Sequence, residues 1–115
     1  MIYISEHTPQ LITVNGTTET DFSFTNNQTQ QEYKLDLWTV GITPISARKQ
    51  ISFLLQWNDT TANPPTSVND GINYINVPSG EYNFKVGEVC GLMILKGTPA
   101  PATYDNKTNN IVYNG

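Results

Sequence analysis

Hydrophobic and polar residues alternate along most of the chain, so that every second side chain falls on the same face of an extended backbone. The clearest run is QISFLLQW, in which Ile51, Phe53, Leu55 and Trp57 share one face. Strict alternation over four to eight residues is typical of half-buried β-strands. The other alternating runs are MIYIS, QLITVN, TDFSFT, EYKLDLW, INYINV, EYNFKV, VCGLMILK and NNIVYN.

These runs predict an all-β protein with about eight or nine short strands. No segment sustains the i, i+3, i+4, i+7 pattern of an amphipathic helix, and ISARKQ is long enough for one turn only. Clusters of Asn, Gly, Pro and Thr between the strands favour hairpin or Greek-key links. We therefore expect an antiparallel β-sandwich that forms a single domain over residues 1–115.

Several aromatic residues do not occupy the alternating positions that are predicted to face the core. Trp57 alternates with Phe53 and is predicted to be in the core, whereas Trp38 follows Leu37 and is predicted to point away from it. Tyr3 likewise opposes Ile2 and Ile4, and Tyr74 lies between Ile72 and Ile75. Outward aromatics can anchor a protein interface or stack on sugars, and they can also simply pack. Trp38 and Tyr74 are therefore candidate partner contacts.

Three polar stretches interrupt the strands, at residues 25–31, 39–49 and 58–70. The last is the longest, and its Pro64-Pro65 pair is incompatible with a central strand. Loops of this length are often functional. Asp59, Pro64 and Pro65 are therefore candidate partner contacts, with a tolerated insertion as the alternative.

The last residues, 104–115, combine polar residues with an apolar IVY. A final strand of this kind must pair with its own sheet or with a neighbouring molecule, so Tyr104 and Tyr113 are further candidate contacts. Cys90 is the single cysteine, which excludes an intramolecular disulfide, and its apolar flanks predict a core position.

The composition narrows the possible partners. Apolar residues are 37% and charged residues 14% of the chain, and the net charge is −4. This acidic balance argues against nucleic acid, whose phosphates require clustered Lys and Arg. The start of the chain lacks the features of a secretory signal, and no apolar run is long enough for a membrane span. We expect a soluble chain that is made in a cytoplasm.

The residue types that perform chemistry are scarce. His7 is the single histidine, and no nucleophile or orienting carboxylate accompanies it. Asp59 and Asp70 bracket the long loop but lack the dense acidic spacing of a calcium loop. No phosphate-binding glycine motif occurs. We therefore expect a protein that is not an enzyme and that holds no metal or cofactor.

The stretch PSGEYNFKVG, residues 78–87, resembles the entry to a late strand of immunoglobulin-like sandwiches. In that family a tyrosine corner bonds its hydroxyl to an upstream backbone group. The resemblance implies that Tyr82 is the corner tyrosine and that Phe84 fills the core two residues later.

The whole chain resembles small structural proteins of tailed bacteriophages that infect Bacteroides-type hosts, especially the crAss-like group. The resemblance runs through MIYIS, EYKLDL, SGEYNFKV followed by GLMIL, and YDNKTNNIVYNG. It implies an immunoglobulin-like capsid decoration or head-fibre component that binds the major capsid protein or another virion protein on the outer capsid surface. A homo-oligomer is compatible with this role. The alternatives are a carbohydrate-binding module and a phage-encoded inhibitor of a host protein.

Overall fold

The computed structural model describes residues 1–43, 49–96 and 110–114, and these residues form strands and turns without a helix. The described ranges contain eleven strands, where about eight or nine were predicted. The strands are β1 (Ile2–Ser5), β2 (Gln10–Asn15), β3 (Asp21–Asn26), β4 (Glu32–Asp36), β5 (Gly41–Thr43), β6 (Gln50–Asp59), β7 (Thr66–Asn69), β8 (Ile72–Val77), β9 (Gly80–Val86), β10 (Val89–Lys96) and β11 (Asn110–Asn114).

The strands form two sheets. Sheet A has the order β1-β10-β9-β3-β4, and sheet B has the order β11-β2-β6-β8-β7, with β5 also paired to β6. The all-β prediction is confirmed, and the arrangement is consistent with a β-sandwich. The inward faces of both sheets supply one hydrophobic cluster.

The prediction of a purely antiparallel arrangement is wrong, because both sheets are mixed. The pairs β1–β10, β2–β11 and β6–β8 are parallel. Alternation along a strand specifies which face each side chain takes, but it contains no information on the partner strand or its direction. The pairs β1–β10 and β2–β11 join strands that are distant in sequence, and β6 and β8 are separated by β7, so no tight turn links the strands of any parallel pair.

Two short strands fall in stretches that were assigned to loops. β5 lies within residues 39–49, and β7 lies within residues 58–70. β7 and β8 form a hairpin whose turn residues Asp70 and Gly71 have φ angles of 53° and 77°. Positive φ at both central residues is the geometry that an Asp-Gly dipeptide favours in a two-residue hairpin.

The core follows the predicted alternation. Trp57 is fully buried, as expected, and its indole Nε1 donates a hydrogen bond to the Val77 carbonyl at 2.8 Å. Phe22 stacks on Phe84 with ring centroids 6.0 Å apart, and Phe24 meets Tyr82 edge-on at 5.6 Å. The aromatic side chains of sheet A therefore form a continuous part of the sandwich interior.

Tyr3 was expected on the face opposite to Ile2 and Ile4, with plain packing as one alternative, and it is only 7% exposed; it lies opposite Ile94, and the Lys96 ammonium is 6.0 Å from its ring centroid. One prediction of burial is wrong. Cys90 was expected in the core but is exposed. β10 directs Val89 and Met93 inward, so the intervening Cys90 faces solvent, and the apolar run around it concealed this alternation. Over the described ranges, no helix is present that is long and apolar enough to cross a bilayer.

Candidate interaction surface

Trp38 lies just beyond the end of β4, and 58% of its surface is exposed. Its backbone is held by Asn73, a fully buried residue of β8. The Asn73 side-chain oxygen accepts a hydrogen bond from the Trp38 amide at 2.9 Å, and its nitrogen donates to the carbonyls of Trp38 at 2.9 Å and Leu54 at 2.8 Å. Burying an amide costs free energy unless its hydrogen bonds are made. Two of these bonds hold the Trp38 backbone in place, and the third ties Asn73 to β6.

The Trp38 indole lies over the turn of the β7–β8 hairpin. Its Nε1 is 3.5 Å from the point where a Cβ atom on Gly71 would sit. Val40 and Val68 are also exposed, at 53% and 40%. Val40 lies two residues after Trp38 in the chain, and Val68 lies opposite Asn73 in the β7–β8 hairpin. We refer to Trp38, Val40 and Val68 as the Trp38 patch.

The Trp38 patch has the properties of a prearranged anchor. A large aromatic side chain on a fixed backbone loses little conformational entropy when a partner covers it. The outward direction of Trp38 agrees with the prediction, whereas Asn73 was not anticipated. Its signal was present in the sequence, because INYINV places an amide at a position where alternation requires an apolar residue.

Tyr74 lies on the opposite face of β8 from Asn73 and is half-buried, opposite Gln56 and Ser67. Trp38 and Tyr74 share no ring contact among the described residues. The structure therefore does not bring these two candidate aromatics into one platform.

The candidate residues of the long loop make contacts within the molecule. The Asp59 carboxylate accepts a hydrogen bond from the Ser79 amide at 3.1 Å, and the Asp59 amide donates to Glu6 at 2.9 Å. Pro64 is exposed and follows a cis peptide bond, while the Pro65 carbonyl accepts a bond from the Asn76 amide at 2.7 Å. The loop is therefore attached to β8 and to the start of β9.

Among the described residues, no group of three or more His, Cys, Asp and Glu side chains is placed to hold a metal ion. The His7 ring bonds through Nδ1 to the Asn58 side-chain oxygen at 2.9 Å, and its Nε2 is 3.0 Å from the Glu6 carboxylate. The expectation that no carboxylate accompanies His7 is therefore wrong. His7 thus joins the first turn of the chain to the end of β6.

Tyr113 packs inside its own molecule. Its ring meets Phe84 edge-on at 5.1 Å, and its hydroxyl donates to the Cys90 carbonyl at 2.8 Å. Gly91 leaves room for this ring, since a Cβ atom there would lie 2.7 Å from Tyr113 Cζ. β11 pairs with β2 of the same chain, which is one of the two pairings foreseen. Tyr104 lies outside the described residues.

Tyr82 and Phe84 lie on β9 and point to the core side of sheet A. The Tyr82 hydroxyl donates to the Pro78 carbonyl, four residues upstream, at 2.7 Å. Both side chains are essentially buried. Burial raises the pKa of Tyr82 above its usual 10.0; a hydrogen bond with Asn26 opposes this, and the nearby Tyr33 and Asp59 add to it.

A groove of about 810 Å³ crosses the outer face of sheet A, and sequence reasoning did not foresee it. Ser23 lies on its floor between Lys34 and Lys85, which are its partners on the two neighbouring strands. Asp21 lies directly opposite Asp36 at one end. The charged lining indicates a well-solvated surface that differs from the apolar Trp38 patch.

In comparisons with family models, with curated proteins and with solved structures, nothing matches this chain.

Proposed function

We propose that this chain is a non-enzymatic structural protein of a tailed-phage virion, either a capsid decoration protein or a component of head fibres. In this role it is made in the host cytoplasm and binds the outer capsid surface through the major capsid protein or another virion protein. The proposal starts from the sequence resemblance. The observation that carries it is the exposed Trp38, whose backbone is fixed by the buried Asn73.

An exposed indole of this kind suits docking on a repetitive shell. Tryptophan is enriched among the few interface residues whose truncation costs about 2 kcal/mol or more. Because Asn73 fixes the Trp38 backbone before a partner arrives, less ordering remains to oppose binding. The neighbouring Val40 and Val68 extend the apolar area that a partner would cover.

We also propose that the sandwich is immunoglobulin-like. The Tyr82 corner and the packing of two sheets on one aromatic core support this assignment. The parallel pairing of β6 with β8 departs from the antiparallel sheets of immunoglobulin domains. The family assignment therefore rests on the corner and the core, and the sheet order does not contribute to it.

The test uses purified virions of the phage whose genome encodes the chain, together with capsid shells that lack the chain. The chain should be found in the particles by mass spectrometry and located on the shell by cryo-electron microscopy. In co-sedimentation, Trp38→Ala should weaken shell binding by about 30-fold, the equivalent of about 2 kcal/mol.

Val112→Ala is the matched control, because Val112 is similarly exposed, at 56%, but lies on β11 at the far edge of sheet B. It should bind like the unmodified chain. Absence of the chain from purified particles would rule the proposal out, and so would full binding by Trp38→Ala.

The same exposed indole favours a second candidate function, the binding of carbohydrate, because sugars stack on exposed aromatic rings. This alternative predicts glycan-array binding that is lost on Trp38→Ala while the circular dichroism spectrum is unchanged. A host-protein inhibitor, by contrast, would capture a host protein and would be missing from the particle.

A further inference from the structure

The last strand of the chain is attached to the sandwich along one side. β11 lies at the end of the strand order in sheet B, and within the described ranges its one partner strand is β2, to which it is parallel. An edge strand can leave a sheet without breaking any backbone ladder between the remaining strands. β11 can therefore be considered apart from the sandwich that holds it.

The sandwich offers this strand a shaped site. Ile111 is only 6% exposed and joins the hydrophobic core, whereas the next residue, Val112, faces solvent. The Tyr113 ring fills a notch beside Phe84. This notch exists because residue 91 is glycine, since a Cβ atom on Gly91 would lie 2.7 Å from Tyr113 Cζ. Ile111 and Tyr113 are thus the two side chains by which the strand is recognised.

The two sheets contribute different parts of the site. β2 of sheet B supplies the backbone edge, in a register that runs from Leu11 to Asn15. β9 and β10 of sheet A supply the notch, where the Cys90 carbonyl accepts the Tyr113 hydroxyl at 2.8 Å. When a sheet edge binds an added strand, main-chain hydrogen bonds give affinity and pockets for alternate side chains give specificity. We refer to the edge of β2 together with the notch at Gly91 as the strand-acceptor site.

The covalent connection to β11 is long. β10 ends at Lys96 and β11 begins at Asn110, so that 13 residues, 97–109, join them. A chain of this length spans at most about 45 Å. The longest dimension of the molecule is 38 Å. The connection therefore allows β11 to lie on its own chain or on an adjacent copy.

We propose that the strand-acceptor site also binds residues 110–114 of a second copy of the chain, so that two copies exchange their last strands. The contacts of Ile111 and Tyr113 are the same in both arrangements, because the exchanged strand has the same sequence. Exchange of an identical element between protomers is for this reason a low-cost route to a dimer. The fit of this occupant is visible in the structure, since residues 110–114 already lie in the site.

The balance between the two arrangements depends on concentration. A segment that is linked to its own site is present there at an effective concentration in the millimolar range. The monomer that keeps its own β11 therefore predominates at micromolar concentration. Exchange becomes populated as the concentration of the chain approaches about 1 mM.

This inference does not depend on the proposed function, because Trp38 and Asn73 take no part in the strand-acceptor site. A chain that never binds a shell can still exchange its last strand. A chain that binds a shell through Trp38 can keep its own strand in place. The two proposals can therefore fail separately.

The test is a disulfide bond that strand exchange favours. Val112 of β11 lies opposite Thr13 of β2 in the register, and neither side chain is in the core. Neighbouring strands are about 4.8 Å apart, within the Cα separation of about 4.4–6.8 Å that a disulfide requires. With Cys90→Ser as background, one chain carries Thr13→Cys and another carries Val112→Cys. The two chains are mixed at about 1 mM in a glutathione buffer, a concentration that competes with the linked strand.

Thr25→Cys replaces Thr13→Cys in the matched control, because Thr25 is also a half-buried, outward threonine but lies on β3 of sheet A. Mass spectrometry should find at least about 10-fold more disulfide between positions 13 and 112 than between 25 and 112, since exchange holds the first pair at a high effective concentration. A single chain with both Thr13→Cys and Val112→Cys should close the bond internally at about 10 μM, where the linked strand occupies its own site.

A second measurement uses a peptide in place of the exchanged strand. A labelled peptide with the sequence TNNIVYNG, residues 108–115, is added to the full chain carrying Tyr113→Ala, whose own strand no longer fills the notch. Fluorescence anisotropy should show binding at least about 10-fold tighter than to the unmodified chain, whose own strand competes at millimolar effective concentration. A Val112→Ala peptide should bind like the original, because Val112 faces solvent, and a Tyr113→Ala peptide should not bind.

The proposal is overturned if the disulfide between positions 13 and 112 of different chains is no more abundant than the control. It is also overturned if the internal bond does not close, or if a folded Tyr113→Ala chain binds the peptide no better than the unmodified chain does. Circular dichroism shows whether Tyr113→Ala is folded. The disulfide experiment keeps Tyr113 and decides the question if that variant does not fold.

Discussion

A single hydroxyl closes the turn that precedes β9. Tyr82 sits with its ring in the aromatic core, edge-on to Phe24, and its oxygen reaches back to the Pro78 carbonyl. The ring stabilises the molecule through burial, while the hydroxyl fixes the geometry of residues 78–82. These two contributions can be separated by a substitution that keeps the ring.

Tyr82→Phe should lower the free energy of unfolding by about 0.5–1.5 kcal/mol, the net value of one intramolecular hydrogen bond. The measurement is urea denaturation followed by fluorescence. Tyr74→Phe serves as control, because Tyr74 lies on the outer face of β8, and a surface change of this size usually costs less than about 0.5 kcal/mol. An equal loss in both variants would contradict a special role for the corner.

The buried position of Tyr82 also predicts a response to alkaline pH. Because burial holds the pKa of Tyr82 above 10.0, the folded chain retains the phenol proton at pH values where the unfolded chain has lost it. The free energy of unfolding therefore falls as pH rises above about 10, and this contribution is fully present below that pH.

Denaturation at about pH 8 and pH 11 should show a larger loss of stability in the unmodified chain than in Tyr82→Phe, because the variant has no proton to lose at this site. An identical loss in both proteins would show that the titration of Tyr82 is not linked to folding.

Residues differ in how far the sequence determines their role. Trp57 was placed in the core correctly, because alternation along β6 is enough to position it. Asn73 and Gly91 were missed, because their roles depend on Trp38 and Tyr113, which the fold brings in from other strands. The role of a buried amide or of a glycine can be assigned only once the distant residue that it contacts is known.

At the scale of secondary-structure elements, features that depend on adjacent residues were easier to predict from the sequence than pairings between distant strands. The Asp70-Gly71 dipeptide indicates the turn of the β7–β8 hairpin, although the nearby Pro64-Pro65 pair led to the prediction of a loop. The parallel pairs β1–β10 and β2–β11 have no such signal, since each joins opposite ends of the chain. Strand direction could therefore not be predicted from a period-two pattern.

The hairpin turn allows a clean test of backbone strain. Gly71 has a φ of 77°, so Gly71→Ala should lower the free energy of unfolding by about 1–2 kcal/mol. The added Cβ would meet Trp38 Nε1 at 3.5 Å, an ordinary contact, so the cost arises from the backbone.

Gly41→Ala is the matched control, because it has no positive φ and a Cβ atom there meets nothing within 4 Å. Its stability in urea should be within about 0.5 kcal/mol of the unmodified chain. A neutral result for Gly71→Ala would mean that the turn relaxes to another geometry, which a change in Trp38 fluorescence would report.

At the scale of the whole molecule, the sandwich separates charge from apolar surface. Sheet A presents acids and lysines to solvent around its groove, and β2, β6 and β8 of sheet B present an uncharged face on which Leu11, Leu54 and Ile72 lie side by side. The charged side chains of the two sheets are therefore concentrated on the outer face of sheet A. The pattern was present in the sequence, but assigning each residue to a face of a particular sheet required the strand order.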